Sequence, residues 1–175
     1  MADEVLDIVN DEDNVIGREK RSAIHRLGCQ HRGVHVFLFT ADGKMLVQKR
    51  SADRASSPSL LDCSVSEHVL AGEEYLKAAL RGMREELGLE GIQLERLTKF
   101  RMKYGWNDNE ISELFQGMVD PGQVRFDPGE IEAISYLSMD ELKKMVQNEN
   151  QKFCGWFIEL LNLYWNGKGN MQVMG

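Results

Sequence analysis

The stretch Glu67-His68-Val69-Leu70-Ala71-Gly72-Glu73-Glu74 leads into Tyr75-Leu76-Lys77-Ala78-Ala79-Leu80-Arg81-Gly82-Met83-Arg84-Glu85-Glu86-Leu87-Gly88-Leu89, a turn followed by an amphipathic helix. At 100° per residue Leu76, Ala79, Leu80, Met83 and Leu87 share one stripe, which predicts the buried face. Glu85 and Glu86 fall on the far side, within reach of a common ion. Glu73 and Glu74 are expected in the first turn, where carboxylates suit the positive end of the helix dipole, and Gly88 is placed to end the helix in a left-handed cap. Neighbouring carboxylates on one rigid helix repel unless a cation joins them, and oxygen ligands of this kind suit Mg²⁺ or Mn²⁺. A bare Glu-Glu pair is more often a solvated helix face, so the surrounding residues have to decide between the two readings.

Outward from the helix, the chain reads as one domain spanning residues 1–175, with a core over about 5–165 and a short mobile tail over 167–175. Its 175 residues, 42% hydrophobic with three prolines, can bury a substantial core but are too few for two full-sized domains. A net charge of -7 and a pI near 5.2 argue against a general nucleic-acid or membrane partner. Three scattered cysteines, Cys29, Cys63 and Cys154, without a CxxC pair, suit reduced thiols and a cytoplasmic setting. Neither a signal peptide nor a long apolar run is legible, and a monomer or a homodimer is expected.

Val5–Val9 reads as a first strand, with a polar turn at Asp11–Asn14. Val34, Val36 and Leu38 alternate with His35, Phe37 and Phe39, so both faces of this strand are apolar and it is predicted to be central and covered on both sides. Asp42-Gly43 turns it into a hairpin with Met45–Gln48. Further strands are expected near Ile92–Lys103, Ile111–Val119 and Ile131–Leu137. Ser138 with Glu141 forms a capping box for a short helix to about Val146, and Phe153, Trp156, Phe157, Leu160 and Tyr164 give a last helix whose aromatics read as core. The alternation of strands and helices predicts an α/β (α+β) fold.

The helix and its turn resemble the Nudix box: glycine, five residues, Glu, seven residues, Arg-Glu, an aliphatic, one residue, Glu-Glu, one residue, Gly and an aliphatic. Glu73, Arg81, Met83, Glu85, Glu86, Gly88 and Leu89 match at the required spacings. Two positions depart from it, because Glu67 stands where the opening glycine belongs and Gly82 where a glutamate should follow Arg81. The resemblance implies a Nudix fold, a mixed β-sheet in an α/β/α sandwich, with Gly72, Glu73, Arg81 and Gly88 in structural roles. It also implies metal-assisted hydrolysis of a diphosphate linkage in a small-molecule substrate, with Mg²⁺ or Mn²⁺ held by Glu85 and Glu86. The box glutamate at the place of Gly82 normally helps to bind the metal or orient water. Its absence implies slow turnover, with Glu67 or Glu110 left to activate water, and a Gly82→Glu restoration is expected to raise hydrolysis.

A second resemblance covers Val5 to about Trp165. Asp7-Ile8-Val9-Asn10, His31-Arg32, Gln48-Lys49-Arg50 and Phe153-Cys154-Gly155-Trp156 look like segments of the branch containing type I isopentenyl-diphosphate isomerases and their hydrolase relatives. Those isomerases hold a divalent metal with histidines and acids, which makes His25, His31, His68 and Glu110 (in Asp108-Asn109-Glu110) candidate ligands. They also need a cysteine just before the place of His68. Here that residue is Ser66, a far poorer acid–base than a thiol, and Cys63 is expected to point to the opposite strand face. Arg21, Arg50 and Arg54 are placed by the same resemblance to meet a diphosphate, whereas Lys49 reads as solvated. Three readings therefore stand: a slow hydrolase, an isomerase-like enzyme, and a catalytically impaired module that only binds a diphosphate.

Overall fold

The computed structural model describes residues 3–167 and 169–175. In chain order the elements are β1 (Val5–Val9), β2 (Val15–Lys20), α1 (Arg21–Leu27), β3 (His31–Phe39), β4 (Met45–Arg50), β5 (Leu61–Asp62), β6 (Val65–His68), α2 (Tyr75–Leu87), β7 (Leu94–Gly105), β8 (Asp108–Met118), β9 (Ile131–Leu137), α3 (Met139–Glu149), α4 (Gly155–Asn166) and β10 (Gln172–Met174). Strands β3 to β10 form one mixed sheet along the path β10-β7-β8-β3-β4-β5, with β6 added to β3 and β9 to β4, while β1 and β2 make a separate hairpin.

The two-sided apolar pattern of β3 does what it predicts. Val34, Val36 and Leu38 pack with Ala78, Ala79, Met83 and Leu87 under α2, whereas Phe37 joins Phe157, Leu160 and Leu161 of α4 and Leu142 of α3 in a second core. The result is an α/β/α sandwich of the expected kind. β3 runs parallel to β8 from His31↔Glu110 to Phe39↔Met118. On its other edge it pairs with β6 from Gly33↔His68 to Val36↔Val65, and with β4 only at Phe39↔Met45. β4 and β6 therefore diverge from a common edge. Ser64 bridges the fork, its hydroxyl accepting from Leu38 N at 2.9 Å and donating to Leu46 O at 2.6 Å.

The helix expected from the opening stretch is present, but it is rotated about its axis. Its buried residues are Ala78, Ala79, Gly82, Met83, Glu86 and Leu87, while Leu76 and Leu80 are exposed. The small residues face the sheet because α2 lies close against β6, and Glu86 turns inward while Glu85 stays half-exposed. Glu73 and Glu74 are not in the first turn either, since the helix begins at Tyr75 with Glu74 as its N-cap. Gly88 does close it in the left-handed conformation, at φ 65.

The last residues are not a free tail. Gln172↔Arg101, Val173↔Phe100 and Met174↔Lys99 add β10 to the sheet edge, with Met171 buried beside them. Two further elements, β2 and α1, had no clear signal in the sequence. The β1–β2 hairpin is tied to the turn before α2 by Asp7, which accepts from Arg18 Nε at 2.7 Å and from Gly72 N at 2.7 Å. Among the described residues, no helix is long and apolar enough to cross a membrane.

Candidate functional site

Where β4 and β6 fork, a cavity of about 440 Å³ opens beside α1, α2 and the start of β8. Glu67, Glu85 and Glu86 line one part, His25, His68, Asp108 and Glu110 another, and Arg21, Arg50 and Arg54 also face it.

In the acidic part, Glu86 is buried and its Oε2 accepts from Gln48 Nε2 at 3.0 Å, while its Oε1 has no partner. The Glu67 carboxylate lies against it. Burial, then the charge of Glu67, pushes the Glu86 carboxyl well above the usual carboxylate range, and burial raises Glu67 as well despite Arg81. Arg81 braces this corner from outside. It donates to Glu73 Oε1 at 3.0 Å and Oε2 at 3.1 Å, and to the His68 carbonyl at 2.8 Å. Glu67 Oε2 and Glu85 Oε2 lie 3.4 and 3.3 Å from its Nη1. The structure thus separates the two adjacent box acids: Glu86 faces Glu67 inside, and Glu85 pairs with Arg81 at the rim. A Cβ on Gly82 would lie 2.7 Å from Glu67 Cγ, so Glu67 occupies the space beside Gly82 and leaves no room for Gly82→Glu as the simple restoration expected from sequence.

In the histidine part, strand register does the assembly. His31 sits opposite Glu110 in the parallel pair, and Gly33, two residues on, sits opposite His68. A Cβ on Gly33 would lie 2.3 Å from Glu110 Oε2, so only glycine lets that carboxylate cross between the two histidines. His31 Nε2 is 3.4 Å from Glu110 Oε1 and 3.8 Å from Asp108 Oδ1, His68 Nε2 is 3.7 Å from Glu110 Oε1, and His25 Nδ1 is 3.5 Å from Asp108 Oδ1. His31 Nδ1–H donates to the Cys29 carbonyl at 3.1 Å, leaving Nε2 to face the cluster. His25 Nε2, His31 Nε2 and Asp108 Oδ1 are buried without hydrogen-bond partners. Burial and neighbouring Glu110 push Asp108 up to about 6. Burial opposes ionisation of Glu110 too, but neighbouring His31 outweighs it and holds that carboxyl well below its usual range. Burial holds His68 down to about 3, so it is a neutral imidazole at neutral pH.

The donor set fits a divalent ion. His25, His31 and His68 form one group whose ligand atoms lie within 4.8 Å of one another, and His31, Asp108 and Glu110 form another. Among the described residues no such triplet includes Glu67, Glu85 or Glu86. Of the residues singled out from sequence, His25, His31, His68 and Glu110 come together, with Asp108 completing the set. Glu86 and Glu67 come together separately.

The arginines differ. Arg50 is committed to Asp62, at 3.1 Å, and to the Ser56 carbonyl, and Arg54 pairs with Glu130. Lys49 points away to an exposed pair with Glu132. Arg21 has no ion-pair partner among the described residues. The sequence reading missed the opposite wall: Tyr104 and Trp156 line it, packed edge to face at 6.2 Å. Trp156 is therefore not simply core, and its Nε1 donates to Asp62 at 2.8 Å. His35 links Ser66 Oγ, 2.9 Å from Nδ1, to Tyr104 Oη, 3.0 Å from Nε2. Cys63 Sγ is 3.2 Å from Ser66 Oγ rather than pointing away, because the chain turns between β5 and β6; it is fully buried, with its thiol pushed well up by that burial.

An α/β/α sandwich with a glutamate-bearing helix beside the fork of its central strands defines the class of protein. Within that class, the NUDIX domain family model matches residues 30–157, and the chain belongs to this family. It is 30% identical over 164 residues to an isopentenyl-diphosphate Delta-isomerase from Streptomyces coelicolor, covering 90% of this chain and 82% of that one. It is 41% identical over 100 residues to a protein described as an uncharacterized Nudix hydrolase from the same organism, covering 57% and 55%. The crystal structure of DR0079 from Deinococcus radiodurans superposes with a TM-score of 0.80 at 27% identity, covering 93% of this chain and 100% of that one.

Proposed function

We propose that the protein hydrolyses a diphosphate linkage in a small molecule, with a divalent metal held at the Glu67/Glu86 end of the cavity. The observation that carries this reading is the buried Glu86 carboxylate, with one oxygen lacking a partner and a second carboxylate against it. Mg²⁺ usually takes only one or two carboxylates, filling its remaining positions with water and substrate phosphate oxygens, so Glu86 suffices to hold it and Glu67 is left free beside the bound water. When bound, the cation would neutralise charge on the phosphoryl oxygens and lower the pKa of water.

The chain's own residues do the rest. Glu67, whose carboxyl burial has made more basic, accepts a proton from the attacking water; Glu110 is the poorer base because His31 holds it ionised. Oxygen adds to phosphorus as the bridging P–O bond breaks. Arg21, without an ion-pair partner among the described residues, offers the diphosphate its guanidinium, whereas Arg50 and Arg54 shape and charge the wall while bound to Asp62 and Glu130. Tyr104 and Trp156 give the organic part of the substrate an aromatic surface. The test is a panel of nucleoside and sugar diphosphates with Mg²⁺, read as phosphate release after phosphatase coupling. Product from at least one compound, abolished by EDTA, is expected. Calorimetric binding without product on long incubation would replace the hydrolase with a binding module.

The cluster His25, His31, His68, Asp108 and Glu110 favours a second reading, an isomerase-like proton shift on an isopentenyl diphosphate-type substrate. Imidazole with carboxylate suits Zn²⁺ or Mn²⁺. Ser66 stands against it, since its hydroxyl is a weak acid–base and the neighbouring thiol of Cys63 is sealed from the cavity. Proton NMR of isopentenyl diphosphate incubated with the protein is expected to show no allylic isomer; its appearance would favour the isomerase. Independently of either activity, Gly33→Ala is expected to weaken Zn²⁺ or Mn²⁺ binding by roughly 10–100-fold, because the new methyl displaces Glu110. Unchanged affinity in a metal titration would remove the cluster as a metal site.

A further inference from the structure

The two departures from the box are a single change seen from both sides. A Cβ on Gly82 would lie 2.7 Å from Glu67 Cγ and 2.7 Å from Val65 Cγ1. Val65 and Glu67 stand two residues apart on one face of β6, so removing the Glu67 side chain vacates room into which the buried Val65 methyl can shift, and a side chain at 82 competes with Glu67 for that volume. Gly82 is not there for backbone freedom, since it sits mid-helix and outside the left-handed region. Glycine inside a helix is a local cost, and space is what it supplies here.

We propose that Glu67 and Gly82 form a reciprocal exchange: the carboxylate that the box draws from helix position 82 is delivered instead from strand β6 at position 67, and glycine at 82 exists to admit it. The Glu67 carboxylate lies against Glu86, within 3.4 Å of Arg81 and at the cavity wall. Strand and helix are in close contact here, so either can supply the group but not both. The chemical role of that carboxylate rests on the hydrolase reading above; its packing relation to Gly82 does not.

A double-substitution cycle tests the exchange. Wild type, Glu67→Gly, Gly82→Glu and the double variant are compared by thermal midpoint, by calorimetric titration of Mg²⁺ with methylenediphosphonate present, and by initial hydrolysis rate. Mg²⁺ is the probe because the imidazole-rich cluster discriminates against it. Gly82→Glu alone is expected to melt roughly 5 °C lower, from overpacking. Glu67→Gly alone is expected to bind Mg²⁺ roughly 10-fold or more weakly. The double variant should recover affinity to within about 3-fold of wild type and melt above Gly82→Glu, a non-additivity that independent sites do not show. If Gly82→Glu does not fold, Gly82→Ala with and without Glu67→Gly gives the same steric comparison. A double variant that binds no better than Glu67→Gly, or a residue-82 variant whose melting is unaffected by Glu67, overturns the exchange. If all four bind Mg²⁺ as expected and none releases phosphate from any diphosphate, hydrolysis fails while the exchange stands.

Discussion

Arg81→Ala is expected to destabilise the fold by roughly 2–4 kcal/mol, the largest loss from any single polar substitution around α2. The guanidinium is 12% exposed and joins three carboxylates, Glu73, Glu67 and Glu85, to the His68 carbonyl. Glu73 carries the constraint further, since its Oε2 also accepts from Leu70 N at 3.0 Å and so fixes the turn between β6 and α2. Breaking a largely buried pair leaves the acids uncompensated, and here three acids are left facing one another. Partial exposure of Glu85 lowers its share, which is why the upper end of the usual range for buried pairs is not reached. Urea unfolding measures the effect. A shift below about 1 kcal/mol would mean that Arg81 is a surface charge and that the turn is held by other contacts.

What was legible from sequence depended on how local the signal was. The two-sided apolar run of β3, the Asp42-Gly43 turn with Gly43 at φ 79, and the Ser138/Glu141 capping box are all complete within a few residues, and all three appear as read. The orientation of α2 was not legible, because a hydrophobic wheel weights large side chains while close helix–strand approach selects small ones: Ala78, Ala79 and Gly82 face the sheet and Leu76 and Leu80 do not. Glu86 is counted as polar by any such wheel, yet Gln48 of β4 meets it on the inner face. Strand β10 is too short for an alternating pattern, and its pairing with β7 spans most of the second half of the chain. The histidine cluster draws on α1, β3, β6 and β8, so it exists only once the β3–β8 register is set; sequence offered its members through resemblance alone. Trp156 looked like core because helical spacing does not reveal that its ring stands at a cavity edge beside Tyr104.

The same inward turn of Glu86 sets the largest expected effect on activity. Glu86→Gln keeps the shape and an acceptor for Gln48 Nε2, so the fold is expected to stand at full stability or slightly above it, since a buried carboxyl held well above its usual range is replaced by a neutral amide. Hydrolysis is expected to fall by about 10²–10³-fold. Charge neutralisation by a bound cation contributes several kcal/mol to a phosphoryl transition state, and each 1.36 kcal/mol is about a factor of ten in rate. Glu85→Gln removes an equally conspicuous box acid, yet that side chain is half-exposed and spends its charge on Arg81, so its loss is expected to cost about 10-fold or less. The contrast separates a site organised around the buried pair from one spread over the helix face. Initial rates at saturating Mg²⁺, with urea midpoints measured in parallel, decide it. Equal losses for the two variants, or a Glu86→Gln rate within a few-fold of wild type, would place the chemistry somewhere other than between Glu67 and Glu86.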